Sequence, residues 1–88
     1  MTQDKLAPEL RFGLITEIIA RAALTSPRTI QPDTDIFETL GVDSLGIVEI
    51  FVEIDLHFGV KVNPASIERD KIRTPQLILA LIAPQSLP

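Results

Sequence analysis

Apolar positions gather into three stretches along the chain. From about Glu9 to Leu24, Leu10, Leu14, Ile18 and Ala22 recur every four residues, with Ile15 and Ile19 beside them. That is the spacing of a helix with one buried face. Pro8 stands where a first helical turn tolerates proline, and Ser26-Pro27 ends the run. Thr25 to Asp43 reads as a long connection rich in Pro, Thr and Asp, of a length that tends to be functional in a small domain. Ile30, Ile36, Phe37 and Leu40 are expected to pin it to the core, and Gly41 to take a positive φ. A second helix is predicted from Ser44 to Phe58, closed by Gly59 as a C-terminal cap. Val60-Lys61-Val62 follows as an extended link. Asn63-Pro64 has the form of an N-cap and first-turn proline, which predicts a short third helix. Thr74-Pro75 repeats the signal before a last apolar helix, Gln76 to Ile82, stopped by Pro84 and Pro88. The expected fold is all-α: a small up-and-down bundle of three main helices plus one short one, a single domain over residues 1–88.

The second helix carries two apolar faces. At about 100° per residue, Ile47, Ile50, Phe51, Ile54 and Phe58 fall on one side and form the expected core contacts. Leu45, Val48, Val52 and Leu56 fall roughly opposite, with Glu49 and Glu53 on one flank and Asp55 on the other. A helix apolar on two sides is buried on both or offers one to something else. A chain of 88 residues has too few helices to bury both. Leu45, Val48 and Val52 are therefore read as a partly exposed contact stripe, with Leu56 partly covered. Cover by the long loop or the short helix is the alternative. An apolar centre with a charged rim is the usual make-up of a transient protein interface.

Composition narrows the chemistry. There is no cysteine, so disulfides, thiolate metal sites and cysteine nucleophiles are excluded together. The N-terminus lacks a long apolar stretch and no run reaches the eighteen or so residues of a membrane span, so a cytoplasmic protein is expected. The net charge is −4, but between Pro32 and Phe58 seven acids (Asp33, Asp35, Glu38, Asp43, Glu49, Glu53, Asp55) stand without one Lys or Arg. An acidic segment argues against nucleic acid, whose phosphates need basic residues. It favours protein partners with basic docking surfaces.

Ser44 heads the second helix and the stripe. Local physics alone makes it an N-cap whose oxygen accepts an early backbone N–H. Its surroundings carry more. Gly41-Val42-Asp43-Ser44-Leu45 closely resembles the phosphopantetheine attachment motif of acyl carrier proteins, in which Asp-Ser-Leu opens the second helix. Asp35-Ile-Phe-Glu-Thr-Leu-Gly41 is similar to the family's approach to that site, Val48-Glu-Ile50 to the helix after it, and Phe58-Gly-Val-Lys-Val62 to its exit. The likeness runs from about Leu14 to Ile82.

The resemblance implies a carrier and not an enzyme. Ser44 would accept 4'-phosphopantetheine from coenzyme A through a phosphopantetheinyl transferase that uses Mg²⁺, and Asp43 would be read by that transferase. The arm's thiol would hold acyl groups as thioesters, which supplies thiol chemistry to a chain without cysteine. Leu45, Val48, Glu49, Val52, Glu53 and Asp55 would form the docking face for acyl-transferring, condensing or synthase enzymes. An acyl chain would shelter against Ile47, Phe51 and Ile54. A phosphate at a helix N-terminus is physically favoured by free N–H groups and the helix dipole. The implied pathways are fatty acid, specialised lipid or polyketide synthesis, and a monomer is expected. Gly46, Leu56 and His57 stand where many general fatty-acid carriers have acids, which leaves a specialised carrier as open as a housekeeping one.

Rival functions fare worse. A hydrolase pairing Ser44 with His57, the sole histidine, fails because thirteen residues of helix separate them by roughly 20 Å. Asp33-Thr-Asp35 opens a calcium-loop pattern that Phe37 breaks. A structural zinc site lacks ligands. An unmodified carrier-like interaction module does not need the serine. A peptidyl or D-alanyl carrier remains the competitor within the class, and the Gly41-Val42-Asp43 approach leans towards acyl.

Overall fold

A computed structural model describes residues 8–86, and their side chains from residue 10 to residue 82. Three α-helices carry the architecture: α1 (Pro8–Ala23), α2 (Ser44–Phe58) and α3 (Pro75–Ser86). Among the described residues there is no strand, and α1 packs against both α2 and α3. The fold is the expected all-α bundle.

Each helix begins and ends for a local reason. Pro8 opens α1 as expected. The helix ends at Ala23, and Leu24 turns left-handed at φ 57°. Its N–H donates to the Arg21 carbonyl at 3.3 Å, and the Thr25 N–H reaches back to Ala20 at 3.0 Å. This is the paired closure that glycine usually performs, carried out here by a leucine. Gly59 closes α2 at φ 70° with its N–H on the Asp55 carbonyl, as its position predicted. Thr74 caps α3, its hydroxyl accepting the Leu77 N–H at 3.1 Å. Pro84 does not stop α3, which continues to Ser86. A proline there removes one hydrogen bond, yet its fixed φ is itself close to helical. Pro88 lies outside the described residues.

The short third helix takes a reduced form. Asn63 caps as expected, accepting the Ala65 N–H at 3.0 Å, but only a single 3₁₀ turn follows, Pro64–Ser66. A second turn, Arg69–Lys71, precedes α3. The segment is too irregular to hold a continuous helical face.

The core is dominated by isoleucine. Ile15, Ile18 and Ile19 of α1, Ile50 and Ile54 of α2, and Ile78 and Ile82 of α3 are buried together with Ile36 and Ile72. The buried face of α1 is thus centred on Ile15, Ile18 and Ile19. Leu10, expected on that face, is 60% exposed, and Leu14 and Ala22 lie at its half-buried edge. The expected core face of α2 is fully borne out: Ile47, Ile50, Phe51, Ile54 and Phe58 are all buried.

The loop before α2 is tied down at both chain ends of its tip. Ile30, Ile36 and Val42 are buried, with Phe37 and Leu40 packed against the core. The Ile36 N–H donates to the Arg73 carbonyl at 2.9 Å, and the Gln76 N–H to the Pro32 carbonyl at 3.1 Å. Gly41 takes φ 71°, as required for the turn into Val42 and the helix.

Candidate attachment site and docking face

Asp35 organises the approach to Ser44. Its Oδ1 accepts the N–H groups of Phe37 and Glu38, both at 2.9 Å, and its Oδ2 accepts Arg73 Nη1 at 3.1 Å. The Glu38 N–H chiefly holds the Asp35 carboxyl below its ordinary 3.8; Arg73 and the Phe37 N–H act the same way, and burial opposes them. Arg73 also donates to Asp70 Oδ1 through Nε at 3.2 Å and Nη2 at 3.0 Å, and its two carboxylate partners hold its own pKa above the ordinary value. The loop and the segment before α3 are thereby clamped side by side.

Asp43, not Ser44, is the N-cap of α2. Its Oδ1 accepts the Gly46 N–H at 2.9 Å and its carbonyl accepts the Ile47 N–H at 2.9 Å. Asp43 holds extended backbone angles while Ser44 is already the first helical residue. Two good capping residues stand side by side, and the aspartate takes the role. The consequence is chemical: among the described residues nothing is bonded to the exposed Ser44 hydroxyl. Gly46 is buried beside this turn, and a Cβ there would meet Val42 Cγ1 at 2.9 Å. That close approach explains a glycine in the first turn of the helix.

A groove of about 590 Å³ opens beside Ser44, walled by Phe37, Ile47, Ile67 and Ile72, with the Arg69 guanidinium 4.4 Å over the Phe37 ring. Of the residues expected to shelter an acyl chain, Ile47 borders this groove. Phe51 borders a second groove of about 420 Å³ beside Val62 and Pro64, and Ile54 is wholly buried in the core. An exposed, uncommitted hydroxyl at a helix start, beside an apolar groove, fits a covalent phosphate-linked arm.

The stripe is open. Leu45 is 67% exposed, Val48 46%, Val52 53% and Leu56 73%, so neither the loop nor the 63–66 turn covers it. Leu56, expected to be partly covered, is the most exposed of the four. Its flanking acids are not equivalent. Glu53 Oε1 lies 3.4 Å from Arg21 Nη2 of α1 and 3.2 Å from His57 Nε2; Asp55 Oδ2 lies 3.0 Å from Lys61 Nζ. Glu49 has no ion-pair partner among the described residues. His57, which pattern alone left as a plain surface residue, therefore takes part in this pairing. No sequence signal marked Arg21, Lys61 or Arg73 as partners of the acidic segment.

The described residues form a three-helix bundle with an exposed serine at the start of its second helix. Comparison with known proteins gives the family. The model for the phosphopantetheine attachment site matches residues 13–82, and the chain belongs to that family of carrier proteins. The family carries a covalently attached 4'-phosphopantetheine, and its members are carriers and not enzymes. The chain is 35% identical over 51 residues to the acyl carrier protein AcpXL of Rhizobium meliloti, covering 58% of this chain and 54% of that one. It is 32% identical over 65 residues to the D-alanyl carrier protein of Bacillus velezensis, covering 74% and 83%. A second D-alanyl carrier protein, from Bacillus licheniformis, is 40% identical over 48 residues, covering 54% and 62%. The match thus spans about half the length of the AcpXL relative. No helix among the described residues is long and apolar enough to cross a membrane.

Proposed function

We propose that this chain is an acyl carrier protein whose Ser44 bears the 4'-phosphopantetheine arm. The observation that carries this reading is the uncommitted Ser44 hydroxyl, left free because Asp43 caps α2 in its place. The arm supplies a thiol on which cargo is held as a thioester. Asp43 fixes the helix start and so presents the serine to the transferase. The Asp35–Arg73 clamp holds the approaching loop still. Leu45, Val48, Glu49, Val52, Glu53 and Asp55 form the docking face for the transferase and for acyl-transferring, condensing or synthase enzymes. The groove at Ile47, Ile67 and Ile72 shelters the start of the cargo, with Phe51 and Ile54 behind it as packed core. The protein acts as one carrier unit, a cytoplasmic monomer serving fatty acid, specialised lipid or polyketide synthesis.

A D-alanyl carrier is the second reading, favoured by the longer reach of that match, which covers 83% of the Bacillus velezensis protein. One experiment separates them. The arm-bearing protein is offered long-chain acyl groups with an acyl-carrier ligase, and D-alanine with a D-alanine–carrier ligase. The acyl reading expects thioester formation with the former and little with the latter. The reverse preference would replace it with the D-alanyl reading. Ser44→Ala should melt like the parent and accept neither cargo.

A further inference from the structure

We infer that partners dock on α2 through an apolar surface with at most one cation, opposite Glu49, and not through a broadly basic one. The inference rests on the carrier reading and narrows the expectation of basic partners drawn from the acidic sequence segment.

Three acids flank the stripe, but Arg21 and Lys61 come from outside α2 to meet two of them. With His57 counted neutral, three acids against two bases leave the face a net of one negative charge. These ion pairs are exposed and add little to stability. Their effect on the field is independent of bond strength. Cations held 3.0–3.4 Å from Asp55 and Glu53 cancel most of what a partner senses a Debye length away. Long-range steering of a basic partner to this helix is correspondingly weak.

The acids of the central segment that keep no ion-pair partner among the described residues are Asp33, Glu38, Asp43 and Glu49. Three of these four precede Ser44 in the chain. Only Glu49 of the three acids flanking the stripe therefore stays unpaired, and the remainder of the stripe is left to apolar contact. The relief suits such contact. Val48 and Val52 form a ridge between two grooves, one of about 330 Å³ floored by Ile18 and Ala22, the other of about 420 Å³ beside Phe51 and Val62. Each groove has one internally satisfied ion pair at its edge, Arg21–Glu53 or Lys61–Asp55. Glu49, on the groove of about 330 Å³, stays open to one cation, but a basic side chain seeking Glu53 or Asp55 would have to displace a cation already there. An apolar side chain would not.

Two phosphopantetheinyl transferases serve as probes, one with a strongly basic carrier-docking surface and one with an apolar surface. Rates of arm transfer are followed by intact mass between about 20 and about 500 mM NaCl. The apolar-surfaced enzyme is expected to be the more efficient, with rates that change less than about threefold across that range. Arg21→Gln with Lys61→Gln uncovers both acids, and should improve the basic-surfaced enzyme by about tenfold at low salt and make its rate steeply salt-dependent. Val48→Ser with Val52→Ser should slow the apolar-surfaced enzyme without moving the melting temperature. A parent protein already preferred by the basic-surfaced enzyme, with a steep salt dependence that the double Gln variant leaves unchanged, would overturn the inference. Mass gain with either enzyme reports the carrier reading, whereas the ratio and the salt slope report docking chemistry, so the two can fail separately.

Discussion

The two faces of α2 are both apolar, and the fold treats them in opposite ways. Ile47, Ile50, Phe51, Ile54 and Phe58 are sealed against the rest of the core, while Leu45, Val48, Val52 and Leu56 stay in solvent less than a helix diameter away. Side-chain chemistry does not separate them. What separates them is the supply of neighbours: α1, the loop before α2 and the 60–72 segment cover one face and reach no further. An exposed apolar face on so small a bundle costs solubility and adds nothing to the core, so its retention points to use.

The largest expected effect pits the faces against each other. Ile54→Ala should cost about 2–5 kcal/mol in denaturant unfolding because it opens a cavity in a fully buried site. Val52→Ala should cost about 0.5 kcal/mol or less, since exposed positions carry little packing. Comparable losses at the two sites would show that the stripe is covered in solution.

A second contrast lies between the clamped loop and the open stripe. The Asp35 carboxyl is held below its ordinary 3.8, so its contribution to stability is complete above that value and disappears as pH falls through the lower folded value. Acid melting curves should therefore be steeper for the parent than for Asp35→Asn, which has no such proton to bind. Parallel curves would mean the clamp does not form.

Smaller effects sharpen the picture at the helix ends. Gly46→Ala should forgo the gain of about 1 kcal/mol that alanine ordinarily brings to a helix, because its Cβ meets Val42 at 2.9 Å. In a Val42→Ala background the same change should recover that gain, and a double-mutant cycle reads the coupling. Leu24→Gly should stabilise by about 1 kcal/mol. The leucine is 92% exposed and left-handed, so glycine relieves the conformation at no loss of packing.

These contrasts mark what the sequence could convey. Periodicity located three helices and the buried face of α2, and glycines at 41 and 59 announced their own backbone angles. The motif at Asp43-Ser44-Leu45 pointed to the serine. Capping chemistry could not choose between Asp43 and Ser44, because both side chains suit the position and only the backbone angles decide. Leu24 carried no turn signal at all, since leucine is a poor left-handed residue. The larger omission was electrostatic. A segment of seven acids without a base looked uniformly negative, yet Arg21 lies 32 residues from Glu53 and Arg73 lies 38 from Asp35. Folding brought those cations in, and no local pattern encodes a pairing of that separation.

The measurement closest to the central claim is intact-protein mass after incubation with coenzyme A, Mg²⁺ and a broad-specificity phosphopantetheinyl transferase, run beside Ser44→Ala. The account predicts the gain of a single phosphopantetheinyl group by the parent and none by the variant. A folded parent that gains no mass, or a Ser44→Ala protein that gains the same mass, would contradict it.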